Sequence, residues 1–380
     1  MKPELYLYII WEKSLSKKDM ILADLEKKFV IQKIYEIKWS KQNFIKNLKR
    51  FYGFSLDSAQ YKANLCGNGP FLLIIISDLH PRIEKRFLDD VHEVDVNLNV
   101  YENKMLYREW IGIDFALHGS ISKKETNHDL VLLLGKNIKN LEKELISKWD
   151  GSIEIISSDL IGTDGWKDMK QFLDVLNETL NYVILRSFEN IPEKFSHHDI
   201  DILTDDVKNM SNIINENSHS DGKASVKIGN KKILLDFRYQ EGHHYDENWS
   251  RDILKRRIFH KKGFYVPCNE DYFYSLLFHT ITQKHIRDDY KEILKKLTTV
   301  IQIDQNMHLI LNDFNAAEKF SNKYMKKMGY HKQTIIHEIL YKIKRTELMR
   351  LVKVSIFLLK TYGIRFLFKK IKEKIDTMKN

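Results

Sequence analysis

The stretch SHHDIDILTDD, Ser196 to Asp206, decides how the middle of this chain is read. Its alternation predicts a strand in which Ile200 and Ile202 point one way and Asp199 and Asp201 the other. Two acids on one strand face repel each other unless a cation lies between them. A divalent metal is the usual answer, and magnesium takes one or two carboxylates together with phosphate oxygens and water. A third acid, Asp236, ends the apolar run KILLD. If that run forms a strand beside the first, three carboxylates converge. The plainer alternative is a pair of exposed acids on an edge strand.

Working outward, the chain of 380 residues has room for two or three domains. Its 43% hydrophobic content supports real cores and excludes a disordered chain. The net charge of +10 suits polyanionic partners such as nucleotides, nucleic acid or an anionic membrane face, although a Lys- and Ile-rich composition alone would also produce it. Cys66 and Cys268 lie far apart with no CxxC spacing, which argues against a zinc site or a disulfide framework and for a reducing compartment. The opening MKPELYLYIIWEKSLSKK has too short an apolar run for a signal peptide, and no apolar run reaches the length of a membrane span. The expected location is the cytoplasm, with peripheral contact at the inner membrane face left open.

Three blocks follow from the patterning, and together they predict an α+β protein. Residues 1–150 read β-α-β-α-β through LYLYIIW, SKKDMILADLEKKF, VIQKIYEIKW, KQNFIKNLKRFYG and PFLLIIISD, an order expected of a ferredoxin-like sheet with helices on one side. ETNHDLVLLLG adds a helix. Residues 151–268 contain a helix at WKDMKQFLDVLNETLN, strands at YVILRSF and HDIDILTD, and a hairpin of ASVKIG with KKILLDFRYQ turned at GNKK. Residues 269–380 read helical and end in ELMRLVKVSIFLLKTYGIRFLFKKIKEKI, a basic amphipathic tail fit either for an anionic membrane surface or for packing on the helical segment.

The stretch YVILRSFENIPEKFSHHDIDILTDD resembles the nucleotidyltransferase superfamily typified by DNA polymerase beta. That family has a helix, a strand, a Gly-Ser turn, a strand with two acids, and a third acid on a later strand. The resemblance implies that Ser187 is the turn serine, that Asp199, Asp201 and Asp236 are the catalytic, Mg2+- or Mn2+-binding acids, and that Arg186, in place of the usual glycine, contacts phosphate together with Arg238. A glycine there lets backbone amides approach a phosphate, whereas an arginine offers a charged fork. The family's two-metal chemistry activates a hydroxyl and steadies a leaving pyrophosphate. The segment DFRYQEGHHYDENWSRDILKRR adds His243 and Asp246 as candidates for deprotonating an acceptor hydroxyl, and Arg256 and Arg257 for binding phosphate, each of them at least equally readable as part of a solvated loop or a charged helix face. His197 and His198 precede the acids and could touch phosphate, although loop histidines are more often without such a role.

The first block is similar to nucleoside diphosphate kinase. The helix-strand opening, FYG, GNGPFLLIII and ALHGSISKKETNHDLVLLLG carry the likeness. It implies that His118 matches the phosphate-accepting histidine, while Trp11 replaces a phosphate-contacting lysine and Phe115 an asparagine. The fold is then kept with the kinase activity lost, leaving an accessory, oligomerising or nucleotide-binding domain. Within the superfamily, the ILRSFE and HHDIDIL pattern resembles the bacterial polysaccharide-modifying branch, with its phosphocholine transferases and fukutin-like proteins. The expected function is metal-dependent transfer of a nucleotidyl or phospho-alcohol group from a nucleotide or nucleotide-activated donor to a glycan or other hydroxyl acceptor. Rivals are a toxin-like enzyme modifying RNA or protein, and a catalytically inactive nucleotide-binding scaffold. No aromatic RNA-binding motif favours nucleic acid.

Overall fold

A computed structural model describes residues 2–87, 93–113, 115–145, 148–193, 199–215, 223–239, 244–303 and 307–331. The basic tail read from the sequence lies outside these residues, as do His197, His198 and His243.

The elements run β1 (Glu4–Ile10), α1 (Lys18–Lys28), β2 (Val30–Ile37), α2 (Phe44–Tyr52), α3 (Leu56–Cys66), β3 (Phe71–Asp78), β4 (Ile83–Phe87), β5 (Glu93–Asn97), α4 (Leu98–Ile111), β6 (Leu117–Gly119), α5 (Lys123–Leu134), α6 (Ile138–Leu141) and β7 (Glu154–Ile156). There follow α7 (Met169–Thr179), β8 (Tyr182–Ile184), β9 (Ile200–Thr204), α8 (Val207–Ile214), β10 (Lys223–Ile228), β11 (Lys231–Tyr239), α9 (Glu247–Lys255), β12 (Ile258–His260), β13 (Phe264–Val266), α10 (Asn269–Thr282), α11 (Asp288–Val300), α12 (Met307–Asn312) and α13 (Phe314–Met328). The α+β class expected from the sequence is what the chain adopts.

The first sheet has the order β6-β1-β3-β2-β7. Its pairs are antiparallel except for β2 with β7, which is parallel. Both faces are covered, where the sequence reading expected helices on one side only. Tyr6, Tyr8 and Ile10 of β1 pack with Ile21 and Leu25 of α1 and Val100 and Tyr107 of α4. Leu5, Leu7 and Ile9 belong instead to a core with Leu48 of α2, Ala63 of α3 and Leu130 of α5. The reason is in β3: every residue of FLLIIISD is buried, and a strand apolar on both faces must be covered on both. The GNG turn before it is shaped by charge. Asn68 and Gly69 amides donate to the Glu12 carboxylate, at 2.8 and 2.7 Å, and a Cβ on Gly69 would sit 2.5 Å from that side chain.

The second sheet has the order β10-β11-β9-β8. The hairpin expected at GNKK forms, with Ile228 facing Lys231. β9 lies parallel to β11 and antiparallel to β8. Ile200 and Ile202 join the large core, whereas Leu203 packs on the opposite face with Val183, Tyr245 and Trp249. The strand therefore has two covered faces.

No clean break falls at residue 150. β7 lies beyond it yet completes the first sheet, and the large core runs from β1 through α7 and β9 to α10 and α11. Two polar groups fasten the units. Arg50, 1% exposed, donates to Thr163 Oγ1 and to the carbonyls of Ile161 and Ile213. Asp159 accepts from the Ser40 amide and hydroxyl and from the side-chain amides of Asn43 and Asn47, at 2.7–2.9 Å.

Burial opposes the charge on Asp159, but these donors outweigh it and hold its pKa below the ordinary value. A carboxylate lowered on folding contributes stability above its unfolded pKa and loses it as pH falls through the folded one. Asp159→Asn is expected to cost about 1 kcal/mol in urea unfolding at pH 7, a typical net value for such hydrogen bonds, with the gap to wild type closing as pH falls below about 4. A gap that is constant with pH would show that the charge contributes nothing.

Candidate active site

The parallel register sets Asp236 of β11 directly opposite Asp201 of β9. Alternation then places Asp236 and Arg238 on the same face of β11, away from Ile233, Leu235 and Phe237 in the core. Of the three acids expected to converge, Asp201 and Asp236 stand opposite each other on neighbouring strands, and the three do not form a converging group of metal-type donors among the described residues. Asp199 stands immediately before β9, partly buried, with no ion-pair partner among the described residues. Asp201 is no exposed edge acid: its strand is flanked on both sides, and its side chain is 16% exposed.

The cation between the acids is supplied by the chain itself. Arg186, at the end of β8 and 3% exposed, donates to Asp201 at 2.6 Å. Arg238 forks onto both oxygens of Asp236 and comes within 3.6 Å of Asp201. Burial pushes the Asp201 carboxyl up, and the two guanidinium groups pull it back only in part. Burial also works against the charge of Arg186, but Asp201 beside it holds the pKa above the ordinary value. Ser187 follows in a left-handed conformation, φ 57°, a backbone state rare for a residue with a side chain. That turn swings the chain off β8 at the point where Arg186 enters the interior.

Further polar groups surround this cluster. Tyr245, 1% exposed, lies near Arg186 with its hydroxyl outside hydrogen-bond geometry. His244 Nε2, His279 Nδ1, Arg238 Nε and the Tyr245 hydroxyl are all buried without a partner among the described residues. Burial, and then the charges of Arg238 and Arg186, hold His244 far below its usual pKa. The same causes lower His279 to about 3. Both rings are neutral at pH 7. His279 escaped the sequence reading because a single histidine in LLFHTIT looks like helix core; in the fold its ring lies 6.0 Å from that of Tyr290.

His118 belongs to a different cluster. On β6 it bonds Asp129 at 2.7 Å, with Glu125 Oε1 3.9 Å away, and His128 holds the other Asp129 oxygen at 3.0 Å. This is the one group of three metal-type donors that converges among the described residues, and it is not the group expected to bind magnesium. Trp11, standing where the resemblance puts a lysine, packs on Phe71 with ring centroids 4.5 Å apart. The ammonium nearest its ring is that of Lys62, from α3, which burial lowers to about 8.

Other candidates make contacts within the fold. Arg256 forks onto Asp271, which is fully buried, and so joins α9 to α10. Arg257 stacks over Tyr265 at 3.8 Å and donates to the Tyr182 carbonyl. Asp246 caps α9. Cys66 and Cys268 are unpaired thiols.

No protein-family model, curated protein or solved structure matches this chain. Among the described residues no helix is long and apolar enough to cross a membrane.

Removing one partner of a buried ion pair strands the other charge. Arg186→Ala is therefore expected to destabilise the fold by about 3 kcal/mol, and Arg186→Ala/Asp201→Ala by clearly less than the sum of the single changes, with a coupling of about 2 kcal/mol. Additive losses in denaturant melts would mean that the pair is not coupled.

Proposed function

We propose that the sheet of β8 to β11, with its flanking helices, is a nucleotidyltransferase-type unit that moves a nucleotidyl or phospho-alcohol group onto a hydroxyl acceptor, in surface polysaccharide synthesis. The observation that carries this is the level placement of Asp201 and Asp236 on adjacent parallel strands, behind a left-handed turn at Ser187. The helix-strand order α7, β8, β9 that leads into the acids supports it. In the first unit, β3 lies between β1 and β2, and β6 flanks β1, all antiparallel. That order supports the ferredoxin-like reading and, with His118 held by Asp129, the likeness to nucleoside diphosphate kinase.

Adjacent carboxylates suit Mg2+ in donor type, and Asp199 carries no counter-charge among the described residues. Asp199, Asp201 and Asp236 would hold the ion, which when bound supplies charge neutralisation for the donor's phosphates. Arg238 is 20% exposed and sits in a fork geometry that a phosphate accepts as well as a carboxylate does. It can pass from Asp236 to an arriving phosphate and leave the acid free. Arg186 cannot follow, being buried, and it keeps Asp201 oriented.

That fixed pair favours a second reading, an inactive unit that binds nucleotide without turning it over. Calorimetric titration of ATP, CTP, GTP and UTP with Mg2+ or Mn2+ separates the two. Transferase chemistry predicts binding that needs the metal and disappears in Asp199→Asn/Asp236→Asn. Binding that survives chelation and both substitutions supports the scaffold. If no nucleotide binds under any condition, neither reading stands.

A further inference from the structure

His118 lies where an edge strand meets a helix. Pairing of β6 with β1 sets it opposite Ile9, and its ring makes T-shaped contacts with Phe51 and Tyr52, each with a centroid 5.6 Å away. Glu125 and Asp129 stand four residues apart on α5, a spacing that puts both on one face of the helix. One ligand-type atom from each of the three side chains lies within 4.8 Å of the other two. The closest pair is His118 Nε2 with Asp129 Oδ2 at 2.7 Å, and Glu125 Oε1 is 3.9 Å from the same nitrogen.

Both carboxylates are fixed by further contacts. The second Glu125 oxygen accepts the Ile121 amide at 2.7 Å, and Ser122 Oγ accepts the Glu125 amide, so the first turn of α5 orients this side chain. His128 Nδ1 lies 3.0 Å from the other Asp129 oxygen. Metal ligands are commonly tied down in this way by a surrounding layer of hydrogen bonds. Neither acid pairs with an ammonium or guanidinium group among the described residues. Lys104 feels both charges, but its ammonium donates to the Gly119 carbonyl at 2.8 Å. Asp201 and Asp236 differ, because arginines in direct contact answer their charges. What meets Glu125 and Asp129 is imidazole, which can itself bind a cation.

We propose that His118, Glu125 and Asp129 form a binding site for a divalent transition metal, zinc by its donor set, with His128 supporting Asp129. An imidazole nitrogen beside two carboxylate oxygens suits zinc, whereas magnesium takes oxygen donors. Tetrahedral zinc at ordinary bond lengths holds its ligand atoms roughly 3.3 Å apart, so the His118–Asp129 contact widens by about 0.6 Å and Glu125 closes by about as much. The ion replaces the proton of the His118–Asp129 hydrogen bond, and that proton leaves to solvent. Three protein ligands leave a fourth position for water, and Glu125, 32% exposed, brings the site to the surface. This site does not depend on the nucleotidyltransferase reading of the second sheet.

The test is calorimetric titration of the full chain, stripped with EDTA and dialysed, with ZnCl2 and MgCl2. It compares wild type, Glu125→Gln, His118→Gln and Asp199→Asn/Asp236→Asn. The expected result is one zinc ion per chain, bound at least tenfold more weakly after Glu125→Gln or His118→Gln and unchanged by the double substitution. Zinc should also raise the melting temperature of the chains that keep the site. Glu125→Gln retains an oxygen for the Ile121 amide and acts on a partly exposed side chain, so it decides the matter if His118→Gln lowers the melting of the metal-free protein. Zinc binding that Glu125→Gln leaves intact, or that only the double substitution removes, overturns the proposal. Absence of zinc binding, or magnesium that displaces zinc at equal concentration, overturns it too. The nucleotide titration is read separately, and the transferase reading stands or falls on that alone.

Discussion

A negative charge on a strand with neighbours on both sides has to be answered from within the fold, and the Arg186–Asp201 pair is that answer. Asp201 lies between β8 and β11, beneath a face closed by Tyr245 and Trp249. Burial alone favours the protonated acid, and Arg186 at 2.6 Å supports the charged one. The remainder of the site follows from this pair. Ser187 takes its left-handed conformation directly after Arg186, and Arg238 completes the charge balance from β11. Two acids and two arginines leave the cluster near neutrality, which suits a region this far out of water.

The same economy of charge joins the two sheets. Arg50 and Asp159 are each held by several partners across the boundary between the units, while a continuous apolar core runs beneath them. The two polar clusters, around His118 and around Arg186, are thus mounted on one packed body. Their chemistry differs. His118 is held by carboxylates, whereas the second cluster pairs its carboxylates with arginines and leaves other donors idle. Idle donors at a buried site are a cost to stability, of the kind that functional sites commonly carry.

Much of this was legible in the residues themselves. Alternation in HDIDILTD and KKILLDF places Ile200, Ile202, Leu235 and Phe237 inward, and therefore Asp201 and Asp236 together on the other side. The GNKK turn, the amphipathic helices and the unpaired cysteines were equally readable, because each depends on local pattern or on spacing. The fully apolar β3 already carried the signal for a sheet covered on both faces.

What the sequence could not give is which charges meet. Arg186 is 15 positions from Asp201, and its role depends on how β8 pairs with β9. The interior places of Trp11 and His279, the pairing of Arg256 with Asp271, and the passage of β7 into the first sheet likewise come from packing between distant segments. Side-chain period and turn chemistry are properties of neighbours along the chain, so a sequence states them. Ion pairing and burial are properties of neighbours in space, and only the tertiary structure brings those together.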